Sequence, residues 1–335
     1  MNFIDSHDLP LILADYPRCI ITSHVNPDGD ACGSTLALYH VLTSYGADVR
    51  MIYTSAVPEN MRFLPAADRI EYYSESDHND YILEADLLLC LDCNTPLRLM
   101  RMESIVRQRT KPIMVIDHHQ SPEDFAQYYR VDTDSSSTCE LIWEIAQAFH
   151  QTFSTPLSKE FAMCCYTGIM TDTGGFRFPR TDAQLHRRVA DLLERGADPV
   201  LISEAVLNDG SLNRTVLLGK ALSSLSLHFS GSICTMVLRR EWFVETSTSL
   251  EDIEGFVNYT LGIRGVTMGI MFVEHPEEPI IKLSMRSKGD MEARRLAVEF
   301  GGGGHFHAAA ARLPDTGLDS IVVQVLERLG SLEMV

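Results

Sequence analysis

The chain has 335 residues, 45% of them hydrophobic, and a formal net charge of −18. That length suggests about two domains, since one core rarely grows far beyond ~250–300 residues, and no apolar run approaches the ~20 residues needed to cross a bilayer. The acidity argues against a protein that coats long nucleic acid, which needs a basic footprint, while a short anionic substrate stays open because a metal cluster or a few arginines can reverse the sign inside one site.

In chain order, residues 18–24 (RCIITSH) read as a buried strand and 29–46 as a helix stopped by Gly46. Strands follow at 47–53, 84–93 and 111–117. A helix is predicted over 136–151, with Ser or Thr as its cap. Another, buried, is predicted over 158–173, and an amphipathic one over 182–196. This alternation predicts an N-terminal, mostly parallel, doubly wound sheet over 1–196. Residues 197–225 read as a helical linker. A smaller C-terminal α/β domain occupies 226–335: residues 232–240, a helix around 251–262, strands 264–274 and 279–287, and a helix over 289–304 capped by Asp290 and broken by glycines. The N-terminus is acidic and lacks the basic start of a signal peptide, so a cytoplasmic protein is expected. Eight cysteines fit reduced thiols in that compartment, and Cys90-x-x-Cys93, with no second pair, reads as core thiols at a strand end.

The strand ends carry the chemistry. The first ends at His24 and runs into VNPDGD with Asp28 and Asp30, the next ends at Asp92, and the third, PIMVID, ends at Asp117 followed by His118 and His119. Asp172, in GIMTDTGGF, sits where a buried helix meets two glycines. In an open parallel sheet the carboxyl edge is where ligands bind. Singly, an Asp at a strand end is often a turn former and a buried His is often structural. Together, four aspartates and two or more histidines on one edge would repel and desolvate one another, and cations relieve this. Imidazole and carboxylate without thiolate point to Mn²⁺ or Mg²⁺ rather than structural zinc, and shared aspartates suggest two ions.

The order HVNPDGDA, LDCN, DHH, TDTGGF resembles the motifs of the DHH phosphoesterases, and MRSKGD with FGGGGHFHAAAA resembles their DHHA1 domain; the length is most similar to the bacterial nanoRNase and pAp-phosphatase group. The resemblance implies two divalent ions, Mn²⁺ foremost with Mg²⁺ or Co²⁺ as substitutes, and an active site in the cleft between the domains. His24 and Asp28 would hold one ion. Asp30, His118 and Asp172 would hold the other, with Asp92 shared. Asp117 would orient a histidine, His119 would face the substrate phosphate, and Arg98 would be a second donor to it. Arg286, Ser287, Gly302, Gly303, Gly304 and His305 would bind the nucleotide or a terminal phosphate. His307 stands where the family often has Asn, a run of alanines replaces a usual final glycine, and Cys139 stands where Ser is common.

The expected activity is hydrolysis of oligoribonucleotides of a few nucleotides to 5′-mononucleotides, with pAp and linear or cyclic dinucleotides as further substrates. The expected partners are such small nucleotides, with no long nucleic acid and no membrane, and a homodimer for which no residue pattern marks an interface. The rival readings are an inorganic pyrophosphatase or short-chain exopolyphosphatase of the same superfamily, and a non-catalytic nucleotide-binding sensor.

Overall fold

Short apolar runs bounded by turn residues make six strands in the first half: β1 Arg18–Thr22, β2 Asp48–Tyr53, β3 Ile70–Tyr72, β4 Leu87–Leu91, β5 Ile113–Asp117 and β6 Tyr128–Val131. All pair in parallel, in the order β3-β2-β1-β4-β5-β6. Alternate residues feed two cores. Ile21, Leu89, Met114 and Ile116 pack with the helices Gly29–Tyr45, Thr138–Phe153 and Lys159–Asp172. Ile20, Leu88, Cys90 and Val115 pack on the other side with Ile82 and Val106, from helices Glu75–Glu84 and Glu103–Gln108. Burial on both faces is why these strands read as unbroken apolar runs. β1 lies between β2 and β4, so the chain leaves the sheet in opposite directions at that point, and a crevice opens there at the carboxyl ends of the strands.

The computed structural model describes residues 1–208 and 210–332, and the chain divides into two compact units, Met1–Asp209 and Gly210–Val335. The segment 197–225, expected as a linker, is divided between them. Ile202 is buried in the first core, whereas Leu217 and Ala221 of helix Leu212–Ser223 are buried with Met236, Phe243 and Phe256 of the second.

The second unit holds a mixed sheet of β7 Ser226–His228, β8 Ile233–Leu238, β9 Met268–Glu274, β10 Ile280–Ser287, β11 Gly303–Gly304 and β12 Ala308–Pro314, in the order β11-β12-β10-β9-β8-β7. Only β8 and β9 pair in parallel. One face packs on helices Ala293–Glu299 and Leu318–Ser331 through Leu283, Met285, Leu296 and Val325. On the other, Met236 and Met271 pack with Leu217, Phe243 and Phe256. The expected helix over 251–262 is reduced to Asn258–Leu261, after turns. The expected helix over 289–304 is only Ala293–Glu299, with Glu292 rather than Asp290 at its start, and Gly303–Gly304 instead pair with β12.

Two helices cross closely beside the first sheet. A Cβ on Gly33 would lie 2.6 Å from the carbonyl oxygen of Cys164, and one on Gly168 would collide with the thiol of Cys139. Only glycines permit this approach. Gly33→Ala is expected to lower stability by about 1–3 kcal/mol through overpacking, despite a helix-propensity gain of ~1 kcal/mol. A urea midpoint at or above that of the parent would contradict the account.

Candidate functional site

The site is built at the carboxyl ends of β1, β4 and β5. After β1, Asp28 caps the helix Gly29–Tyr45: its Oδ1 accepts from the backbone N–H of Asp30 and of Ala31, both at 3.0 Å. Asp30 therefore sits in the first turn, turned inward and buried. A second helix start meets it. The backbone N–H groups of Thr138 and Cys139 donate to its two carboxylate oxygens at 2.7 and 2.9 Å. Ser137 caps that helix by accepting from Glu140 N–H, while Glu140 Oε2 reaches back past the cap to accept from Ser136 N–H at 2.7 Å, a variation on the capping box whose pattern the sequence writes as STCE. The Cys139 thiol lies between the crossing helices near Gly33 and Gly168, a packing position.

Asp92 follows β4 in a left-handed conformation (φ 53°), which an Asp tolerates better than most residues. Its Oδ2 is 3.2 Å from His24 Nε2, and its Oδ1 is 3.2 Å from His119 Nδ1 and 3.7 Å from His118 Nε2. Thr138 Oγ1 donates to Oδ1 at 3.2 Å, and Arg98 Nη1 donates to the Asp92 carbonyl at 3.0 Å. Asp117 ends β5, fully buried, and its Oδ1 accepts from both the backbone N–H and Nδ1 of His119 at 2.7 Å. His118 Nε2 lies 3.4 Å from Asp172 Oδ2 and 3.9 Å from Asp30 Oδ2, with its Nδ1 3.4 Å from the Ser135 carbonyl.

Three triads result, each with ligand atoms within 4.8 Å of one another: His24, Asp28, Asp92; Asp30, His118, Asp172; and Asp92, His118, His119. The structure thus brings together the residues expected to hold metal, with Asp92 common to two groups. The residues fit divalent cations. His24 Nδ1 lies 2.8 Å from the Val25 carbonyl and is its donor nitrogen, so Nε2 is the ring atom that faces Asp28 and Asp92. Among the described residues, that buried Nε2 finds no hydrogen-bond partner, nor does Asp117 Oδ2. Imidazoles and carboxylates without thiolate suit a hard or borderline ion.

The charge states tell the same story. Burial, then the charges of Asp92 and Asp28, push Asp30 up to about 8 against the bonds from Cys139 and Thr138. Burial and the charges of Asp30, Asp92 and Asp28 raise Asp172 well above its ordinary value. Burial also works on Asp92, but the neighbouring imidazoles of His119 and His24 outweigh it and hold that carboxyl well below the usual range. For His119, Asp117 and Asp92 overcome burial and lift the ring to about 10. Burial lowers His118. Protons and histidines neutralise only part of this cluster.

The residues expected to bind substrate lie in the second unit. Arg286 and His305 line a shallow depression of about 360 Å³ with Gly303, Gly304 and Lys282, the last of which the sequence reading missed. Two expectations are corrected. Strand alternation puts Ser287 on the face opposite Arg286, where its hydroxyl donates to the Met291 carbonyl at 2.7 Å and lies 3.1 Å from His307 Nδ1. Gly302 is outside the depression, and a Cβ there would collide with the Ala310 carbonyl, so its glycine serves the close pass beside β12. Arg98, expected as a donor to substrate, is engaged by the Asp92 carbonyl, with Nη1 also 3.5 Å from His119 Nε2. Thr138 was missed as well; its signal was the cap in STCE.

Residues 18–169 match the family model for the DHH family, N-terminal domain, and residues 231–331 match that for the DHHA1 domain. The chain is 32% identical over 310 residues to the bifunctional oligoribonuclease and PAP phosphatase NrnA of Thermus thermophilus, covering 92% of this chain and 87% of that protein. It is 27% identical over 304 residues to the Bacillus subtilis protein of that name, with 89% and 90% covered. A solved exopolyphosphatase-related protein from Bacteroides fragilis superposes with a TM-score of 0.91 at 34% identity, covering 98% of this chain and 97% of the other.

The raised groups set a pH dependence in the metal-free protein. Asp30 binds its proton up to about 8 when folded but only to 3.8 as an ordinary carboxyl, and His119 up to about 10 rather than 6.5. Each stabilises fully below the ordinary value and loses its contribution as pH rises through the folded one. Between pH ~6.5 and ~8 both contributions fall. The melting temperature of the metal-free protein is therefore expected to drop across that window, and saturating Mn²⁺ to raise it most at the alkaline end. A flat metal-free profile, or a rising one, would contradict the assignment.

Proposed function

We propose that this chain, which belongs to the DHH family of phosphoesterases and carries the DHHA1 domain, hydrolyses very short oligoribonucleotides to 5′-mononucleotides and also removes phosphate from pAp. The family makes it a metal-dependent hydrolase; the substrate reading rests on the similarity to proteins named for those two activities. The single observation that carries the chemistry is the pair of ligand triads flanking Asp92.

His24, Asp28 and Asp92 would hold one divalent ion, and Asp30, His118, Asp172 and Asp92 the other, with Mn²⁺ the best match to this donor set. Two ions bound there supply Lewis acidity and a more acidic attacking water. The chain's own residues do the rest. Asp117 fixes the His119 ring by accepting from Nδ1–H, which leaves Nε2–H of the protonated ring as a proton donor to the departing oxygen. Arg98 holds the Asp92 main chain and so fixes the shared carboxylate. The Thr138 and Cys139 N–H groups lock Asp30 in one orientation, as groups behind metal ligands commonly do. Arg286 and His305 bind a non-reacting phosphate or the nucleotide, and Lys282 adds charge to the same depression.

No helix among the described residues is long and apolar enough to cross a membrane, consistent with small soluble substrates. The exopolyphosphatase-related name of the Bacteroides fragilis structure supports a second reading, in which the substrate is pyrophosphate or a short polyphosphate.

Turnover with Mn²⁺ on a 5′-phosphorylated RNA dinucleotide, pAp, pyrophosphate and a long RNA strand separates the readings. The dinucleotide and pAp should be the best substrates; preference for pyrophosphate would overturn the nucleotide assignment. His119→Ala should lower kcat by about 10²–10⁴-fold. Asp117→Ala should lower activity or metal affinity by about 10–100-fold, and unchanged values would remove its role in orienting His119.

A further inference from the structure

The outward face of β10 carries Lys282, Ser284 and Arg286, alternating with the buried Ile281, Leu283 and Met285. Its neighbour β12 presents Ala308 opposite Arg286, Ala310 opposite Ser284 and Arg312 opposite Lys282. Next to Ala310 lies Gly303 of β11. The result is a floor of residues with little or no side chain, with Arg286 toward one end of the strand and a lysine and an arginine side by side four residues away, roughly 13 Å along the chain.

Side-by-side cations are unfavourable on a sheet, because directly opposed residues bring their Cβ atoms to ~5 Å and like charges there destabilise. Here the pair sits in a chain of net charge −18, and the carboxylate whose charge acts on both Lys282 and Arg286 is that of Glu254. Burial, then the charges of Arg312 and Arg286, lower the Lys282 ammonium, and the opposing influence is the charge of Glu254. An anion seated between Lys282 and Arg312 removes the repulsion. Ser284 places a hydroxyl between that seat and Arg286, and the alanine and glycine floor leaves room for a flat chain to lie across it.

We propose that Lys282 and Arg312 form a second anion subsite, distinct from the Arg286–His305 end, that takes one further non-reacting phosphate of a short oligonucleotide. Arginine grips two phosphate oxygens in a fork and lysine adds a compact charge. The subsite rests on the oligonucleotide reading above and gives it a length preference: a substrate with one phosphate more than the first seat can hold gains a second grip.

The test uses the full chain with Mn²⁺, Lys282→Ala, Arg312→Ala and the double variant, on 5′-phosphorylated RNA dinucleotide and trinucleotide. For the double variant, kcat/KM on the trinucleotide should fall about tenfold or more, through KM, since hydrogen bonds to charged groups are the strong ones. On the dinucleotide, the kcat/KM of Arg312→Ala should change less than about twofold. The slope of log KM against log salt for the trinucleotide should decrease by about one for each cation removed, an effect a merely structural role does not produce. The variants should melt no lower than the parent, because a repulsion has been deleted. Equal changes on both substrates, or an unchanged salt slope, would overturn the subsite. Failure of the parent itself to hydrolyse either oligonucleotide would instead overturn the reading it rests on.

Discussion

Five aspartates and three histidines crowd the end of a buried parallel sheet, and their mutual repulsion is the constraint around which the first half of the chain is arranged. A carboxylate removed from water is unstable unless something pairs with it. Here burial and neighbouring charges drive Asp30 and Asp172 toward their protonated forms, while Asp92 stays ionised only by borrowing His119 and His24. Two divalent cations would neutralise the whole group at once, and the atoms already lie at distances that let one ion reach each triad. The switch point between β1 and β4 makes this crowding possible, because several strand ends open into the same crevice.

Support for the cluster extends well beyond the atoms that would touch metal. The start of helix Thr138–Phe153 clamps Asp30 and reaches Asp92 through Thr138. Glu140 on that helix is itself held by an ion pair with Arg188, whose other nitrogen bonds Glu144 at 2.8 Å, and Glu144 in turn accepts from Arg130 at 2.9 Å. Arg180 donates to the same Ser135 carbonyl that faces His118. A mechanism that needs fixed charges near the reacting phosphate gains from such bracing, since small misplacements are expensive in rate.

Much of this was legible in the sequence, because polar residues ending apolar strands have few structural reasons to exist. The run PIMVIDHH announced both a strand and a site, and the strand β5 ends on Asp117. The doubly wound alternation was equally plain. What stayed hidden had weaker signals. β3 and β6 are edge strands of three and four residues with polar interruptions. β12, AAAARLP, is built of good helix formers, and only its pairing with β10 makes it a strand, a tertiary override of local propensity. Ser287 was misplaced for the simplest reason: in a strand its neighbour Arg286 must point the other way. The sequence offers Arg98 as a donor to substrate and carries no sign that the left-handed Asp92 would turn its carbonyl onto Nη1.

Whether the cluster holds two ions shared through Asp92 can be read from anomalous diffraction at the manganese edge, using crystals grown with Mn²⁺. Two peaks are expected roughly 3.5–4 Å apart, one beside His24 and Asp28 and one beside Asp30, His118 and Asp172, with the Asp92 carboxylate within reach of both. A single peak, or two peaks that leave Asp92 uncoordinated, would contradict the shared two-ion reading.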